Sequence, residues 1–227
     1  MHLAKQHLDV GLFTNNIEAM LDFWRNAVGL PFEEALPTGG GNMQHRHALQ
    51  GGILKINHVR QPLEPASRSG YRRLVITSAL EIAPRALADP DGNDVLLVPP
   101  GHTPTGGPTI ELAVSSLAAA MRYYVDILGW TADAPGTVIC GETMLQLRED
   151  PSQTEAGPMR AAGYRYLTVQ VWDADREYAS IVEKGGIGAT PPRTMGEVAR
   201  FGFVRDPDGN WLEISQRASL TGPLPSN

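Results

Sequence analysis

The sequence predicts an α+β fold: four tandem βαβββ modules, the second truncated, forming two domains with cup-shaped mixed sheets. Three observations predict it. The pentapeptide DPDGN occurs at 89–93 and again at 206–210, each time followed by a β-compatible run. Gly-Tyr-Arg opens a strand twice, as GYRRLVITS at 70–78 and GYRYLTVQV at 163–171. An apolar helix that ends in glycine recurs 100 residues later, with Tyr123-Tyr124 answering Phe23-Trp24. Self-similarity of this kind marks a supersecondary unit used more than once.

Residues 7–14 (HLDVGLFT) alternate as a strand. Asn16 stands where a helix cap is expected, and Ile17, Met20, Leu21, Trp24 and Val28 then recur at helical spacing until Gly29. Short strand pieces after Pro31, a TGGGN loop at 38–42 and strands at 43–50 and 53–59 complete the first unit. Residues 60–70 carry Pro and Ser without periodicity and read as a linker. The second unit has only 79–85, interrupted by Pro84, where its helix is expected. It closes on the first DPDGN hairpin: Pro presets φ for a tight turn and Gly supplies the positive φ.

The first domain is thus expected over 1–100, a linker over 101–108, the second domain over 109–217 and a tail over 218–227, of which TGPLPSN at 221–227 reads as disordered. The third unit repeats the first, with a strand at 109–115 and a helix presenting Leu117, Met121, Tyr124, Val125 and Leu128 before Gly129. Residues 149–162 form a polar linker. In the fourth unit Asp173 caps a helix that stops at Gly185-Gly186, and the second DPDGN leads into the last strand. On that strand Leu212 and Ile214 share one face, while Trp211, Glu213 and Ser215 share the other, which faces the concave side of the cup.

A formal net charge of −6 argues against nucleic acid or an acidic membrane as the main partner. The single cysteine, Cys140, precludes an intrachain disulfide and fits a reducing compartment. With no apolar run near 18 residues, a cytoplasmic location is expected. The partner expected is a small organic molecule, with a homodimer allowed by the apolar helix faces.

Three stretches carry a family resemblance: DFWRNAVGL at 22–30, RYYVDILGW at 122–130 and, above all, FGFVRDPDGNWLEISQ at 201–216. Over residues 7–217 the chain resembles the vicinal oxygen chelate superfamily, which includes glyoxalase I, bleomycin-resistance proteins and extradiol dioxygenases. The resemblance implies paired βαβββ modules forming a cup and, in the enzymes, a divalent metal held by His and Glu on first and last strands. Only Glu213 matches that pattern. Asp9, Thr109 and Tyr166 stand where first-strand histidines would be, with Arg73 in the truncated unit; Lys55 or Leu54 and Leu96 stand in place of last-strand carboxylates.

Two functions stay open. One is a metal-free small-molecule binder, as the bleomycin-resistance branch suggests, with no cofactor. The other is an enzyme centred on Glu213: a metal-dependent lyase, isomerase or dioxygenase, or a metal-free acid–base catalyst using Glu213 with Tyr166. Glu213 is the metal ligand candidate, with its His partners missing. Glu111, Gln146 and Trp211 are expected to bind ligand beside Tyr166 and Glu213 in the second domain, where Glu111 and Glu213 could form an acid–base pair. Asp9, Lys55 and Arg73, with Asn57, are expected together in the first, either receiving an anionic ligand or forming a salt-bridged plug. Four histidines of the first unit, His7, His45, His47 and His58, match no zinc spacing.

Overall fold

The computed structural model describes residues 1–226, so the tail's last residue, Asn227, lies outside the described residues. The first unit comprises β1 (Asp9–Thr14), helix α1 (Ile17–Asp22, continued by a π-helical turn Phe23–Ala27), β2 (Phe32–Gly39), β3 (Asn42–Leu49) and β4 (Gly52–His58). The second has β5 (Tyr71–Thr77), β6 (Arg85–Ala88) and β7 (Asp94–Val98), without a helix among the described residues. The third has β8 (Thr109–Val114), α2 (Leu117–Met121, with a π-helical turn Arg122–Ile127), β9 (Thr131–Ala134), β10 (Thr137–Cys140) and β11 (Thr143–Glu149). The fourth has β12 (Gly163–Gln170), α3 (Ala174–Glu183), β13 (Ile187–Met195), β14 (Ala199–Arg205) and β15 (Trp211–Arg217). The tail begins as a one-turn helix, α4 (Ala218–Thr221), and within the stretch expected to be disordered the Pro225 carbonyl accepts from Thr194 Oγ1 at 2.7 Å.

Helix ends follow local chemistry. Ser116 Oγ accepts from the Ala119 amide and Asp173 Oδ1 from the Arg176 amide, as N-caps should. The cap expected of Asn16 is not made. Thr14 Oγ1 accepts from the Asn16 amide instead, while the Asn15 side chain ties the following linker through the Val59 and Gln61 carbonyls and the Leu63 amide.

The units do not pair as expected. One sheet has the order β13-β14-β15-β12-β1-β4-β3-β2, joining the first unit to the fourth; the other, β6-β7-β5-β8-β11-β10-β9, joins the second to the third. The joints are antiparallel pairs of first strands, β1 with β12 and β5 with β8. The expected linker at 101–108 therefore joins two strands of the second sheet, β7 and β8, rather than two domains. Linkers of similar length join all neighbouring units, so chain connectivity did not favour one pairing over the other.

The face assignments hold. Leu54, Ile56, Leu212 and Ile214 are fully buried toward the helices, where Met20, Trp24, Tyr123 and Tyr124 join them in one apolar core spanning both sheets.

The repeated motifs clasp the two sheets together. Tyr71 on the second sheet donates its hydroxyl to the Trp211 carbonyl on the first, and Tyr164 on the first donates to the Asp94 carbonyl on the second, at 3.0 and 3.2 Å. In the second DPDGN turn, Asp206 accepts from the Asp208 and Asn210 amides, from Asn210 Nδ2 and from the Tyr124 hydroxyl of α2. Asn210 Oδ1 accepts the Gly70 amide at 2.5 Å, and Asp208 Oδ2 accepts the Ser115 amide at 3.0 Å. The turn is therefore an inter-sheet fastener as well as a hairpin.

Burial pushes the Asp206 carboxyl up to about 6 despite these donors. Because its folded value exceeds the unfolded 3.8, the stabilisation from proton binding is present below that value and is lost as pH rises through about 6. The loss is up to roughly 3 kcal/mol. Denaturant unfolding of wild type and Asp206→Asn across this window should show a decline in wild type that the variant lacks; parallel curves would refute it.

Candidate functional site

The first sheet curls around a cavity of about 760 Å³, within the range of small-molecule sites. Its floor comes from alternate residues of the four central strands, because parity puts residues 9, 11 and 13, 55 and 57, 166, 168 and 170, and 213, 215 and 217 on the concave side. Gly11 leaves room for the Tyr166 ring: a Cβ there would lie 2.1 Å from Cε1 of that ring. Phe13 and Phe203 flank Tyr166 at ring distances of 6.1 and 6.4 Å, and Phe201 continues the aromatic wall.

At the centre of the floor is Lys55, which is 4 % exposed. Its Nζ donates to Thr168 Oγ1 at 2.7 Å and to Glu213 Oε2 at 3.1 Å, and lies 3.6 Å from Asp9 Oδ2. Thr168 in turn donates to Glu213 Oε2 at 2.6 Å. Asp9 is fully buried and also takes Lys5 Nζ, the Ile53 amide and Gln170 Nε2. Burial alone would raise the Asp9 carboxyl, but Lys55 and Lys5 outweigh it and hold it below its usual range.

A second polar chain runs beside this cluster. Arg46 Nη1 donates to Gln44 Oε1, Gln44 Nε2 to Asn57 Oδ1, and Asn57 Nδ2 to the Tyr166 hydroxyl, at 3.0, 2.9 and 3.2 Å. Burial, with the Glu213 charge adding to it, pushes the Tyr166 phenol far above its usual value, so it keeps its proton.

The expected site residues divide between the sheets. Asp9, Lys55, Asn57, Tyr166 and Glu213 come together in the first-sheet cup. Arg73 does not join them: β5 carries it to the second sheet, where it pairs with Glu111 at 3.5 Å. Glu111 and Gln146 are register neighbours on β8 and β11 of that sheet, away from Glu213, so the expected Glu111–Glu213 acid–base pair is not formed. Trp211 is held to one side, its Nε1 donating to the Gly157 carbonyl and its face covered by Arg205 at 3.9 Å. Thr168, Gln44, Arg46, Arg193 and Arg217 belong to the site and were missed. Alternation from Tyr166 could have found Thr168.

The donors fit a divalent metal poorly. Among the described residues the carboxylates at the floor of the cup, Asp9 and Glu213, already hold an ammonium between them. A dication there would meet that like charge and lack the imidazoles or full oxygen shell such ions require. Among the described residues no three His, Cys, Asp or Glu side chains converge as a metal-binding group. His7 pairs with Glu142 at 3.2 Å, and His47 is buried against the Leu30 carbonyl.

Residues 108–214 match the model of the Glyoxalase/Bleomycin resistance protein/Dioxygenase superfamily. This segment belongs to that superfamily. The whole chain has its fold: glyoxalase I from Zea mays superposes with a TM-score of 0.74 at 13% identity, covering 93% of this chain and 92% of that one. A V278E mutant of the same maize enzyme gives 0.76 at 14% identity, with 93% and 92% covered. At such identity the likeness concerns the fold alone. No curated protein sequence matches the chain. No helix among the described residues is long and apolar enough to cross a membrane.

Proposed function

We propose that the protein binds a small organic molecule in the first-sheet cup without a divalent metal, the Lys55 ammonium supplying the positive charge at the centre of the site. The observation that carries this reading is the set of contacts from Lys55 Nζ to Thr168, Glu213 and Asp9 at the floor of a cavity with aromatic walls. A buried ammonium satisfied by carboxylates is a fixed charge that needs no cofactor. The cavity above it is large enough for a ligand of drug size.

The neutral fluorescent probe N-phenyl-1-naphthylamine tests it. It should bind saturably at one equivalent, and Phe201→Ala, which removes part of the aromatic wall, should weaken binding roughly tenfold. Absence of saturable binding to folded protein would refute the cup as a binding site.

A metal-free acid–base enzyme is the second reading. It is favoured by one feature: the hydrogen bonds of Glu213 fall on Oε2, leaving Oε1 without a protein donor among the described residues. On that reading Glu213→Gln retains probe binding and loses proton exchange from a carbon acid held in the cup.

A further inference from the structure

We infer that the cup selects an organic anion: a flat apolar body carrying a carboxylate, sulfonate or phosphate that meets Arg193 and Arg217. The inference deepens the binding function proposed above and rests on it. Five cationic side chains line the cavity, Arg46, Lys55, Arg160, Arg193 and Arg217, against one carboxylate, Glu213. This sign opposes that of the whole chain, whose net charge is −6.

The imbalance remains when partners outside the cavity are added. Lys55 is satisfied by Asp9 and Glu213. Arg46 and Arg217 share a single carboxylate, Glu34, at 3.1 and 3.4 Å. Arg46 Nε is buried and, although close to Glu34, makes no aligned hydrogen bond. Among the described residues Arg160 reaches only an amide, Asn42 Oδ1 at 3.3 Å, and Arg193 has no ion pair. A cleft short of negative charge focuses potential on an anion, and guanidinium groups favour planar oxyanions through paired donors.

Register gives the anion a place. Arg193 on β13 lies opposite Phe201 on β14, which lies opposite Ser215 on β15, and Arg217 follows two residues along the same face. The two arginines therefore border the strip that holds Phe201. The apolar body has its own surface: Phe13, Phe201 and Phe203 form one wall, and Met195 and Val198 on the β13–β14 hairpin line the cavity while remaining 48 % and 45 % exposed. Exposed apolar side chains at a cavity mouth are the surface that an apolar ligand would cover.

A matched probe pair tests this on the full chain. 8-Anilinonaphthalene-1-sulfonate and N-phenyl-1-naphthylamine share one aromatic framework and differ by the sulfonate. Wild type should bind the sulfonate at one equivalent and about tenfold more tightly than the neutral probe, the preference shrinking as salt rises. Arg193→Gln and Arg217→Gln should each weaken sulfonate binding more than neutral-probe binding, so that the preference shrinks. Arg193 makes no ion pair among the described residues, so its variant is expected to unfold at the wild-type temperature and to remain a fair test even where Arg217→Gln does not fold. Equal affinity for both probes, or a preference unchanged in Arg193→Gln and in any folded Arg217→Gln, overturns the anion inference and leaves the cup reading standing. Failure of both probes to bind overturns the two together.

Discussion

Replacing Lys55 with methionine is expected to destabilise the protein by about 3–5 kcal/mol, the usual consequence of removing one member of a buried charge cluster. Methionine keeps the length and apolar stem but leaves the fully buried Asp9 and the nearby Glu213 facing each other with the ammonium gone. Lys5 still holds one Asp9 oxygen, so the fold survives but with a lower midpoint. Adding Glu213→Leu to Lys55→Met should recover part of the loss, because an apolar pair is often no less stable than a buried ion pair.

The pH dependence of this effect has a definite sign. In wild type the Asp9 carboxyl is held below 3.8, so its stabilisation is present above that value and is lost as pH falls through the lower folded value. The gap between wild type and Lys55→Met should therefore narrow at acidic pH. A gap that is constant or widens there would show that Lys55 does not act through Asp9.

The second large effect concerns the repeated pentapeptide. Asp206→Ala should cost on the order of 4 kcal/mol, since it strips the acceptor from two backbone amides, Asn210 Nδ2 and the Tyr124 hydroxyl in a buried inter-sheet seam. Asp89→Ala, the same change in the other copy, should cost only about 1–2 kcal/mol. Asp89 bonds within its own turn, to the Asp91 and Asn93 amides and Asn93 Nδ2, and lacks a hydrogen bond to the opposite sheet among the described residues. Chemical denaturation of the two variants checks the ordering. Equal losses would mean that the second copy acts as a turn alone.

The local grammar was readable from the sequence because it is short-range. Alternation placed Leu212 and Ile214 in the core and Glu213 in the cup, and the two DPDGN turns and two Gly-Tyr-Arg starts marked real structural equivalents. What they fasten was not readable, since Tyr124, Gly70 and Ser115 meet the Asp206 turn only after the sheets close. Unit pairing was hidden for the same reason, and it took Arg73, Glu111 and Gln146 to the other sheet. Arg193 is not legible from alternation, because its strand passes through Pro191-Pro192 with two register shifts, which destroys the parity that alternation relies on. The strand pattern alone puts Lys55 on the concave face, but its position between Asp9 and Glu213 depends on β1, β4, β12 and β15 lying side by side.

The most direct test of the central claim is calorimetric titration of chelator-treated wild-type protein with Zn²⁺, Ni²⁺ and Mn²⁺, beside elemental analysis of protein purified without chelator. With the Lys55 ammonium filling the charge site, wild type should take up no stoichiometric divalent metal. One equivalent bound by wild type and lost in Glu213→Gln would contradict the account.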